Sequence, residues 1–469
     1  MPYGVSQLSF MFGDDPNDET QETKETSPCP SIQVEDAGSE LVRKKKWNSL
    51  IDKVYVLPNL QRAWERVKTN RGAPGRDGIT IDTFAKHSDH WLPALAEDLR
   101  NKTYLPQPVR RVYIPKPGRG GEKRPLGIPS VRDRIVQQAI HQILSPIFEP
   151  LFSKRSHGFR PEKGCATALE VVDQALRHGY TWVVDADISA FFDTVDHERL
   201  LTALNQEVAD GSLLKLIRRI LEAGVYLAET SSVNPTEIGT PQGGPLSPLL
   251  ANIYLHAFDM QMSAAGYGLV RYADDFVLFA KSRETADAAL SLARSILEGE
   301  LGLRLHPEKT RVVSVTEGFV FLGFHYFRNA EKGLQYKEVG AKSKSRFRDK
   351  IRSMTPRLRT QRPVKPRHVT LQRLSKNSRV KDMVFDLNLF LRGWHWYFKS
   401  AVRKYDPPFE SDDSFIRRRV RLAITGRVGN GWWNQVITNN LLRKVGLVPL
   451  DELQIRYQLG SLCAPVRKD

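Results

Sequence analysis

The sequence has few cysteines, no long apolar run and no secretory leader pattern. Cys29, Cys165 and Cys463 lie far apart without a C-x-x-C spacing, which argues against a disulfide framework or a zinc site and favours a reduced, cytoplasmic protein. No stretch of about 18 apolar residues is present, so we expect no membrane span. The first residues lack a basic segment followed by an apolar one, so a secretory signal is not expected.

Acidic residues are also scarce relative to basic ones. The chain of 469 residues has 70 Lys and Arg against 53 Asp and Glu, a net charge of +17. Residues 1–42 hold nine acidic residues and one lysine, so they contribute −8 and leave +25 for the remainder. A basic body of this kind favours a polyanionic partner such as nucleic acid over a merely basic surface.

Composition divides the chain into three regions. Residues 1–42 are polar, acidic and without periodicity, which predicts a disordered tail, either passive or competing with nucleic acid for basic surface. Residues 43–335 alternate strand and helix patterns. Residues 336–469 form a basic, mostly helical module: the stretch 340–427 has 24 Lys and Arg against seven Asp and Glu, around the aromatic block "GWHWYFK". Leu389, Phe390 and Trp394 of that region recur at helical spacing, which predicts a core face.

Two acidic segments predict a metal site. The hairpin "LVRYADDFVLFAKS" places Asp274 and Asp275 side by side at its bend, and "VVDADISAFFD" ends an apolar strand at Asp187, with Asp185 two residues earlier on the same face. An Asp-Asp pair in a turn is ordinary turn chemistry by itself. A buried cluster of three carboxylates is unfavourable without a counterion, and Mg²⁺ prefers such oxygen ligands. Two ions about 3.5–4 Å apart would stabilise the attacking and leaving oxygens of phosphoryl transfer.

Several segments together resemble one family. "YADDFV" at 272–277 resembles the central motif of reverse transcriptases, and "GTPQGGPLSPLLANIYL" at 239–255 is similar to their Gln-Gly segment. "RPLGIPSVRDRIVQQAIHQILSPIFEPLFSKRSHGFRP" at 124–161 resembles the branch encoded by group II introns. The resemblance covers about residues 47–330 and continues more weakly into "FLRGWHWYFKSAVRKY", similar to the thumb and maturase region. It implies an α+β right-hand polymerase fold, with fingers and a palm of antiparallel sheet flanked by helices, followed by a helical thumb or maturase domain.

The resemblance also implies roles for individual residues. Asp187, Asp274 and Asp275 would be the catalytic acids, binding two Mg²⁺ ions (or Mn²⁺ as a substitute) together with the carbonyl of Ile188. The substrate contacts that it implies are the triphosphate-binding Lys116, Lys123 and Arg124, the sugar gate Phe192, the nucleotide contact Gln242, and Lys309, which would protonate pyrophosphate. "FLGF" at 321–324 resembles the primer grip. A solvated basic loop, a core phenylalanine and a surface lysine are the alternative interpretations of these contacts.

The expected activity is RNA-directed DNA polymerisation with a maturase role. The partners implied are an RNA template, a DNA or RNA primer, dNTPs and a group II intron RNA, with no membrane. A lone Cys463 near the C-terminus leads us to expect no metal-binding endonuclease domain. The alternatives are a splicing maturase with little polymerase activity, a domesticated enzyme of DNA repair or phage defence, and an RNA-dependent RNA polymerase, which shares the palm chemistry.

Overall fold

The computed structural model describes most of the chain beyond the acidic tail. The described residues are 46–115, 123–227, 230, 232–234, 238–240, 243–329, 331, 333–357, 370–401, 409–426 and 435–458. The tail 1–42, Lys116 and Gln242 therefore lie outside them. No helix among these residues combines the length and the apolar character needed to cross a lipid bilayer.

Helices and strands alternate up to about residue 340, and helices follow. The helices are α1 (Ile51–Tyr55), α2 (Leu57–Thr69), α3 (Ile81–Arg100), α4 (Val131–Phe148), α5 (Cys165–Arg177), α6 (Phe191–Thr194), α7 (His197–Glu207), α8 (Gly211–Leu221), α9 (Ser247–Ala264), α10 (Arg283–Arg294), α11 (Ala341–Met354), α12 (Leu371–Lys376), α13 (Ser378–Phe398), α14 (Glu410–Thr425), α15 (Asn439–Lys444) and α16 (Leu450–Gln458). The strands are β1 (Val109–Pro115), β2 (Lys123–Ile128), β3 (Trp182–Asp187), β4 (Val225–Leu227), β5 (Ser232–Asn234), β6 (Gly268–Tyr272), β7 (Asp275–Ala280), β8 (Arg311–Ser314), β9 (Phe319–Phe321), β10 (Phe324–Arg328) and β11 (Gln335–Val339).

The central sheet has the order β6-β7-β3-β8, with antiparallel neighbours. Alternate residues of a strand face opposite sides of a sheet, and here each side has its own core. Val184 belongs to the core shared with α4, α7 and α9, whereas Val183 belongs to the core shared with α5 and the C-terminal helices. Since Asp185 and Asp187 follow Val183 at steps of two, they lie on the face toward the C-terminal module.

A second sheet has the order β2-β1-β4-β5, and we refer to its β1–β2 pair as the fingers, the part that the family resemblance leads us to expect before the palm. The strands β1 and β2 pair antiparallel from Arg110 opposite Ile128 to Pro115 opposite Lys123. These two strands flank residues 116–122, which lie outside the described residues. The loop therefore continues from the end of a two-stranded ribbon.

A third sheet, of order β11-β10-β9, joins the palm to the C-terminal module. Phe321 and Phe324 pair across a two-residue turn, Leu322–Gly323, in which both residues have positive φ (47° and 81°). A turn of this kind suits the right-handed twist of a hairpin, and glycine accepts the conformation readily, whereas leucine does not. The strand β11 begins at the predicted boundary between residues 335 and 336 and pairs with β10.

The C-terminal helices pack around α13. Leu387, Leu391, Trp394 and Phe398 of this helix are buried, and the same core includes Phe347 of α11. The prediction that Leu389 faces this core is wrong, because its side chain is 54% exposed. The buried stripe runs through residues 387, 391, 394 and 398. Leu389 is two residues from both 387 and 391 and therefore lies on the opposite side of the helix.

Candidate active site

The bend of the hairpin between β6 and β7 presents the two adjacent carboxylates. Tyr272 pairs with Asp275 across the hairpin, so Ala273 and Asp274 form a two-residue turn. Ala273 has φ of 58°, a conformation that non-glycine residues seldom adopt. Such strained backbone at a turn persists only where surrounding contacts hold it. Asp274 thus projects from the tip of the turn, and Asp275 begins the next strand.

The neighbouring strand brings the third carboxylate to the same place. Asp187, the last residue of β3, lies directly opposite Asp275 of β7 in the antiparallel register. Directly opposed residues have Cβ atoms about 4.5–5.5 Å apart and share one face of the sheet. The amide of Ile188 donates to the carbonyl of Asp274 at 3.4 Å, which ties the end of β3 to the turn. The structure therefore brings Asp187, Asp274 and Asp275 together at one sheet edge.

Burial and mutual repulsion act on these acids. The pKa of Asp275 is raised well above its ordinary value, first by burial and then by the charges of Asp185, Asp187 and Asp274. Burial also raises the pKa of Asp274, with Asp187 adding to the effect, and burial raises that of Asp185. The cluster is therefore short of positive charge.

Two basic side chains on the segment before and within β8 partly compensate the cluster. The Lys309 ammonium forms an ion pair with Asp187, and Arg311 contacts Asp185 at 3.2 Å. The backbone places Lys309 in a turn, where its amide donates to the carbonyl of His306 at 3.2 Å, and the amide of His306 donates to the carbonyl of Asp187 at 2.8 Å. Lys309 is therefore built into the site and is not an isolated surface lysine.

Oxygen ligands dominate this site, which suits a hard divalent cation. Within the described part of the chain, no group of three or more His, Cys, Asp or Glu side chains is arranged to enclose a metal ion by itself. Mg²⁺ is usually bound by only one or two carboxylates, with substrate phosphates and water as its other ligands. The carboxylates of Asp187, Asp274 and Asp275 fit that donor set.

Comparisons with known proteins agree with this geometry. Residues 114–326 match the family model described as reverse transcriptase (RNA-dependent DNA polymerase). Protein YkfC of Escherichia coli (strain K12) is 33% identical over 329 residues, which cover 61% of this chain and 85% of YkfC. The group II intron-encoded protein LtrA of Lactococcus lactis subsp. cremoris is 43% identical over 197 residues, covering 42% of this chain and 32% of LtrA. The chain belongs to the group II intron-encoded reverse transcriptase and maturase family.

This reverse transcriptase has the α+β architecture predicted from its sequence, and its activity class is RNA-directed DNA polymerisation. Reverse transcriptase domains use divalent metal ions and act on nucleic acid. Among solved structures, a telomerase from Candida albicans matches with a TM-score of 0.41 at 14% identity, covering 78% of this chain and 68% of that one.

The predicted sugar gate of the reverse transcriptase lies close to the acids in sequence and is partly buried. Phe192 is in the short helix α6, with its ring edge-to-face against Phe191 at 5.3 Å between centroids. Phe191 is the core member of the pair, at 2% exposed. The carbonyl of Phe192 accepts from the amide of Thr240 at 2.6 Å, so the segment leading to Gln242 packs against this residue.

The Gln-Gly segment of the reverse transcriptase reaches the fingers through its glycines. Gly243 has φ of 114°, and a Cβ there would lie 2.6 Å from the carbonyl oxygen of Gly127 on β2. A Cβ at Gly244 would overlap with the side-chain amide of Gln137 on α4. Glycine is therefore required for this close approach, because any larger residue would separate the segment from the fingers.

The basic residues predicted in the fingers are only partly within the described chain. Lys123 and Arg124 begin β2, opposite Pro115 and Ile114, and both are exposed. Lys116 and Gln242 lie outside the described residues. The two described cations thus stand at the end of the ribbon from which the basic loop emerges.

A buried polar network behind the turn was missed by our sequence reasoning. Arg271 of β6 forms a bidentate ion pair with Asp259 of α9, and its guanidinium also donates to the carbonyl of Ala273 at 2.9 Å and to Asn252 at 3.1 Å. Asn252 in turn donates to the carbonyl of Gly158 at 2.9 Å. The sequence signals that could have indicated this network were two isolated charges: Arg271 in the apolar strand "LVRY" and Asp259 in the apolar helix "NIYLHAFDM".

Proposed function

We propose that this reverse transcriptase extends a primer 3′ end on an RNA template, with Asp187, Asp274 and Asp275 as its catalytic acids. The observation that carries the proposal is the register of β3 against β7, which sets Asp187 opposite Asp275 and next to the Asp274 turn. This register brings Asp187 and Asp275, 88 positions apart in the chain, to one face of the sheet. Burial raises the pKa of Asp274 and Asp275, and the charges of the neighbouring carboxylates raise it further; a bound cation would relieve that second, repulsive contribution.

The cofactor proposed is Mg²⁺, as two ions, with Mn²⁺ as a substitute. Asp187 and Asp274 are the principal carboxylate ligands in this proposal, with Asp275 and the Ile188 carbonyl completing the set. When bound, the ions would lower the pKa of the primer 3′-hydroxyl and neutralise charge on the transferred phosphate. The protein fixes the carboxylates, since two of them lie on paired strands and the third lies on a turn held from behind by Arg271.

Lys309 has two tasks in the proposed reaction. Its ammonium neutralises Asp187 in the structure. Since a lysine ammonium carries three donors on a flexible stem, it can move from a carboxylate to a phosphate as charge develops on the departing pyrophosphate. Lys309 would then supply the proton that the leaving oxygen requires.

Substrate selection is assigned to residues around the acids. Lys116, Lys123 and Arg124 would bind the triphosphate, with the arginine able to do so in a bidentate manner. Phe192 would exclude the 2′-hydroxyl of ribonucleotides, and Gln242 would contact the nucleotide. The exposure of Lys123 and Arg124 and the contact of Phe192 with Thr240 support these roles.

The nucleic-acid partners proposed are an RNA template, a DNA or RNA primer and a group II intron RNA whose splicing the protein assists. We propose that residues 43–335 carry polymerisation and 336–469 grip nucleic acid. Like charges crowd in that module: the pKa of Arg419 is lowered by burial and by the neighbouring guanidiniums of Arg352 and Arg357. Bound phosphates would relieve such repulsion.

Primer extension on an RNA template, with dNTPs and with NTPs, tests the proposed function. We expect Mg²⁺-dependent extension with dNTPs, abolished in Asp274→Asn while RNA binding persists. Asp287→Asn, in an exposed i,i+4 pair with Arg283, is the matched control and should retain activity. RNA binding without extension by the wild type would favour a splicing maturase with little polymerase activity, and preferential use of NTPs would favour an RNA polymerase.

A further inference from the structure

The turn Leu322–Gly323 is held by the C-terminal module as well as by its own hairpin. The Tyr397 hydroxyl of α13 donates to the carbonyl of Leu322 at 2.8 Å. The carbonyl of Gly323 accepts from the amide of Gly340 at 2.8 Å and from the Ser343 hydroxyl at 3.2 Å. Both carbonyls of the turn therefore have donors from the segment that follows β11.

Shape reinforces these hydrogen bonds. A Cβ at Gly323 would lie 2.9 Å from the Ser343 hydroxyl oxygen and 3.6 Å from the ring of Phe398. The ring of Phe324, next to the turn, packs on Tyr397 and Phe398 with centroids 5.7 and 4.9 Å apart. The backbone of the turn is thus enclosed by two aromatic rings of α13, and its leucine keeps a positive φ of 47° that isolated leucine disfavours.

The same tyrosine packs against the core that also contacts Tyr272 of the catalytic hairpin. The pKa of the Tyr397 hydroxyl is raised by burial, then by the Cys165 side chain, and further by Tyr272 and Asp275. Burial also raises the pKa of the Tyr272 hydroxyl, and Cys165 raises it further. Tyr272 immediately precedes the Ala273–Asp274 turn. Tyr272, Leu322 and Tyr397 therefore share one core, and the Tyr397 hydroxyl donates to the Leu322 carbonyl at the margin of that core.

We propose that Tyr397 is a positioning residue, which fixes the Leu322–Gly323 turn relative to the Asp274–Asp275 hairpin and thereby sets where the primer 3′ end lies. This inference rests on the proposed polymerase function. Leu322 packs against the same core as Tyr272, the residue before the catalytic turn, so a change in the position of one turn can be transmitted to the other through that core. The C-terminal module would then act on the chemical step in addition to holding nucleic acid.

Single-turnover primer extension separates this role from folding and from binding. Tyr397→Phe keeps the ring and removes the donor to Leu322, so we expect the rate of nucleotide addition to fall about tenfold, in line with the cost of small misplacements. The apparent affinity for dNTP and the affinity for RNA should stay unchanged, and the melting temperature should fall only slightly, because one hydrogen bond to Leu322 is lost. With 2-aminopurine at the primer 3′ end, the fluorescence of the bound complex should differ from that of the wild type.

Ser343→Ala provides a second, milder variant, since Gly323 keeps the Gly340 amide as a donor; we expect a fall of about twofold to threefold. Tyr336→Phe is the matched control, because it removes a hydroxyl from β11 of the same sheet, away from the turn.

If Tyr397→Phe does not fold, an unchanged rate in Ser343→Ala overturns the inference. An unchanged rate and unchanged primer fluorescence in folded Tyr397→Phe also overturn it, even when Asp274→Asn is inactive. If the wild type itself fails to extend primers, the proposed function fails and this inference fails with it.

Discussion

Arg271 and Asp259 form a fully buried ion pair directly behind the turn that carries Asp274. The Nε to Oδ1 distance is 2.7 Å, the Nη2 to Oδ2 distance is 2.5 Å, and both side chains are 0% exposed. The remaining guanidinium donor, Nη1, contacts the Ala273 carbonyl at 2.9 Å. A charge that is costly to bury is thus used to hold the strained residue of the catalytic turn.

Asp259→Asn should destabilise the protein strongly. Removal of one partner leaves the Arg271 charge buried and uncompensated, which costs about 3–5 kcal/mol. The change in the free energy of unfolding is measured by urea denaturation. Asp287→Asn, which breaks the exposed pair with Arg283, should cost less than about 1 kcal/mol. Equal effects of the two substitutions would contradict a structural role for the buried pair.

Gly158→Ala should impair catalysis more than it impairs folding. A Cβ there would overlap with the amide nitrogen of Ala273 and lie 3.1 Å from its Cα, so the turn must move. Because a misplacement of about 1 Å can cost about 100-fold in rate, we expect a fall of that order in the rate of nucleotide addition. Gly164→Ala, where a Cβ meets nothing within 4 Å, should leave the rate unchanged. A normal rate in Gly158→Ala would show that the turn tolerates displacement.

Asp275→Asn should stabilise the protein at neutral pH when a chelator is present. The folded-state pKa of Asp275 is raised, so this carboxyl favours folding only at acidic pH, and its contribution is lost as the pH rises through the raised pKa. At pH 7.5 the ionised group opposes folding, and asparagine removes that penalty. We expect a higher melting temperature than wild type at pH 7.5 and a difference that disappears near pH 4.

The change in melting temperature on addition of Mg²⁺ is the complementary measurement for this prediction. Addition of Mg²⁺ at pH 7.5 should raise the melting temperature of the wild type more than that of Asp275→Asn, because a bound cation offsets the same repulsion. A wild type that is as stable as the variant in chelator would contradict the account of the site as a repulsive cluster.

Phe192→Ala should weaken discrimination against ribonucleotides. The partly buried ring packs on Phe191, and the backbone contact with Thr240 does not involve the side chain, so removal of the ring opens space without unfolding the core. We expect the preference for dNTP over NTP to fall about tenfold, which corresponds to about 1.4 kcal/mol. Phe192→Tyr, which keeps a ring, should retain the preference. Unchanged discrimination in Phe192→Ala would show that another residue is the gate.

Replacement of Lys376, Arg379 and Lys381 by glutamine should reduce the salt dependence of RNA binding. These exposed residues lie at the junction of α12 and α13 in the basic module. Each lost contact with single-stranded phosphate lowers the slope of log K against log salt by about 0.7, so the triple variant should lose up to about 2 units of slope. Filter binding over a range of salt concentrations measures this slope.

The control for this measurement is a triple glutamine variant on the palm, which removes the same charge from α10 and the residue before its cap. The residues are Lys281, Arg283 and Arg294, all of which are exposed. Its slope should match that of the wild type. If both triple variants lose the same slope, RNA binding depends on net charge and not on the C-terminal module.

Local patterns in the sequence were sufficient for the elements around the site. The alternation in "LVRYADDFVLF" predicted a hairpin with its bend at the two acids; the turn is one residue earlier, at Ala273–Asp274, and Asp275 begins β7. Asp196 precedes α7 and accepts from the Arg199 amide at 2.8 Å, the N-cap interaction that Asp favours at the start of a helix. These features depend on neighbours in the chain, so periodicity and capping chemistry predict them. The roles of Lys116 and Gln242 stay predictions.

Contacts between residues that are distant in the chain could not be predicted from these local patterns. Leu389 has the spacing of a core residue but is exposed, because the phase of a helix face is set by what packs on it. The ion pair of Arg271 with Asp259 and the hydrogen bond from Tyr397 to Leu322 join residues 12 and 75 positions apart. Neither pairing follows from the spacing of the residues.

By itself, the sequence determined that three acids would end apolar strands or occupy a bend, and that a basic helical region would follow them. Only the tertiary structure decided that Asp187 lies opposite Asp275 and that a buried arginine holds the Ala273–Asp274 turn. The hydrogen bond from α13 to the Leu322 carbonyl was likewise decided by the tertiary structure. The physical reason is that strand register and helix docking are chosen by the burial of whole faces, which sums over many residues, whereas alternation and turn chemistry are properties of each short segment.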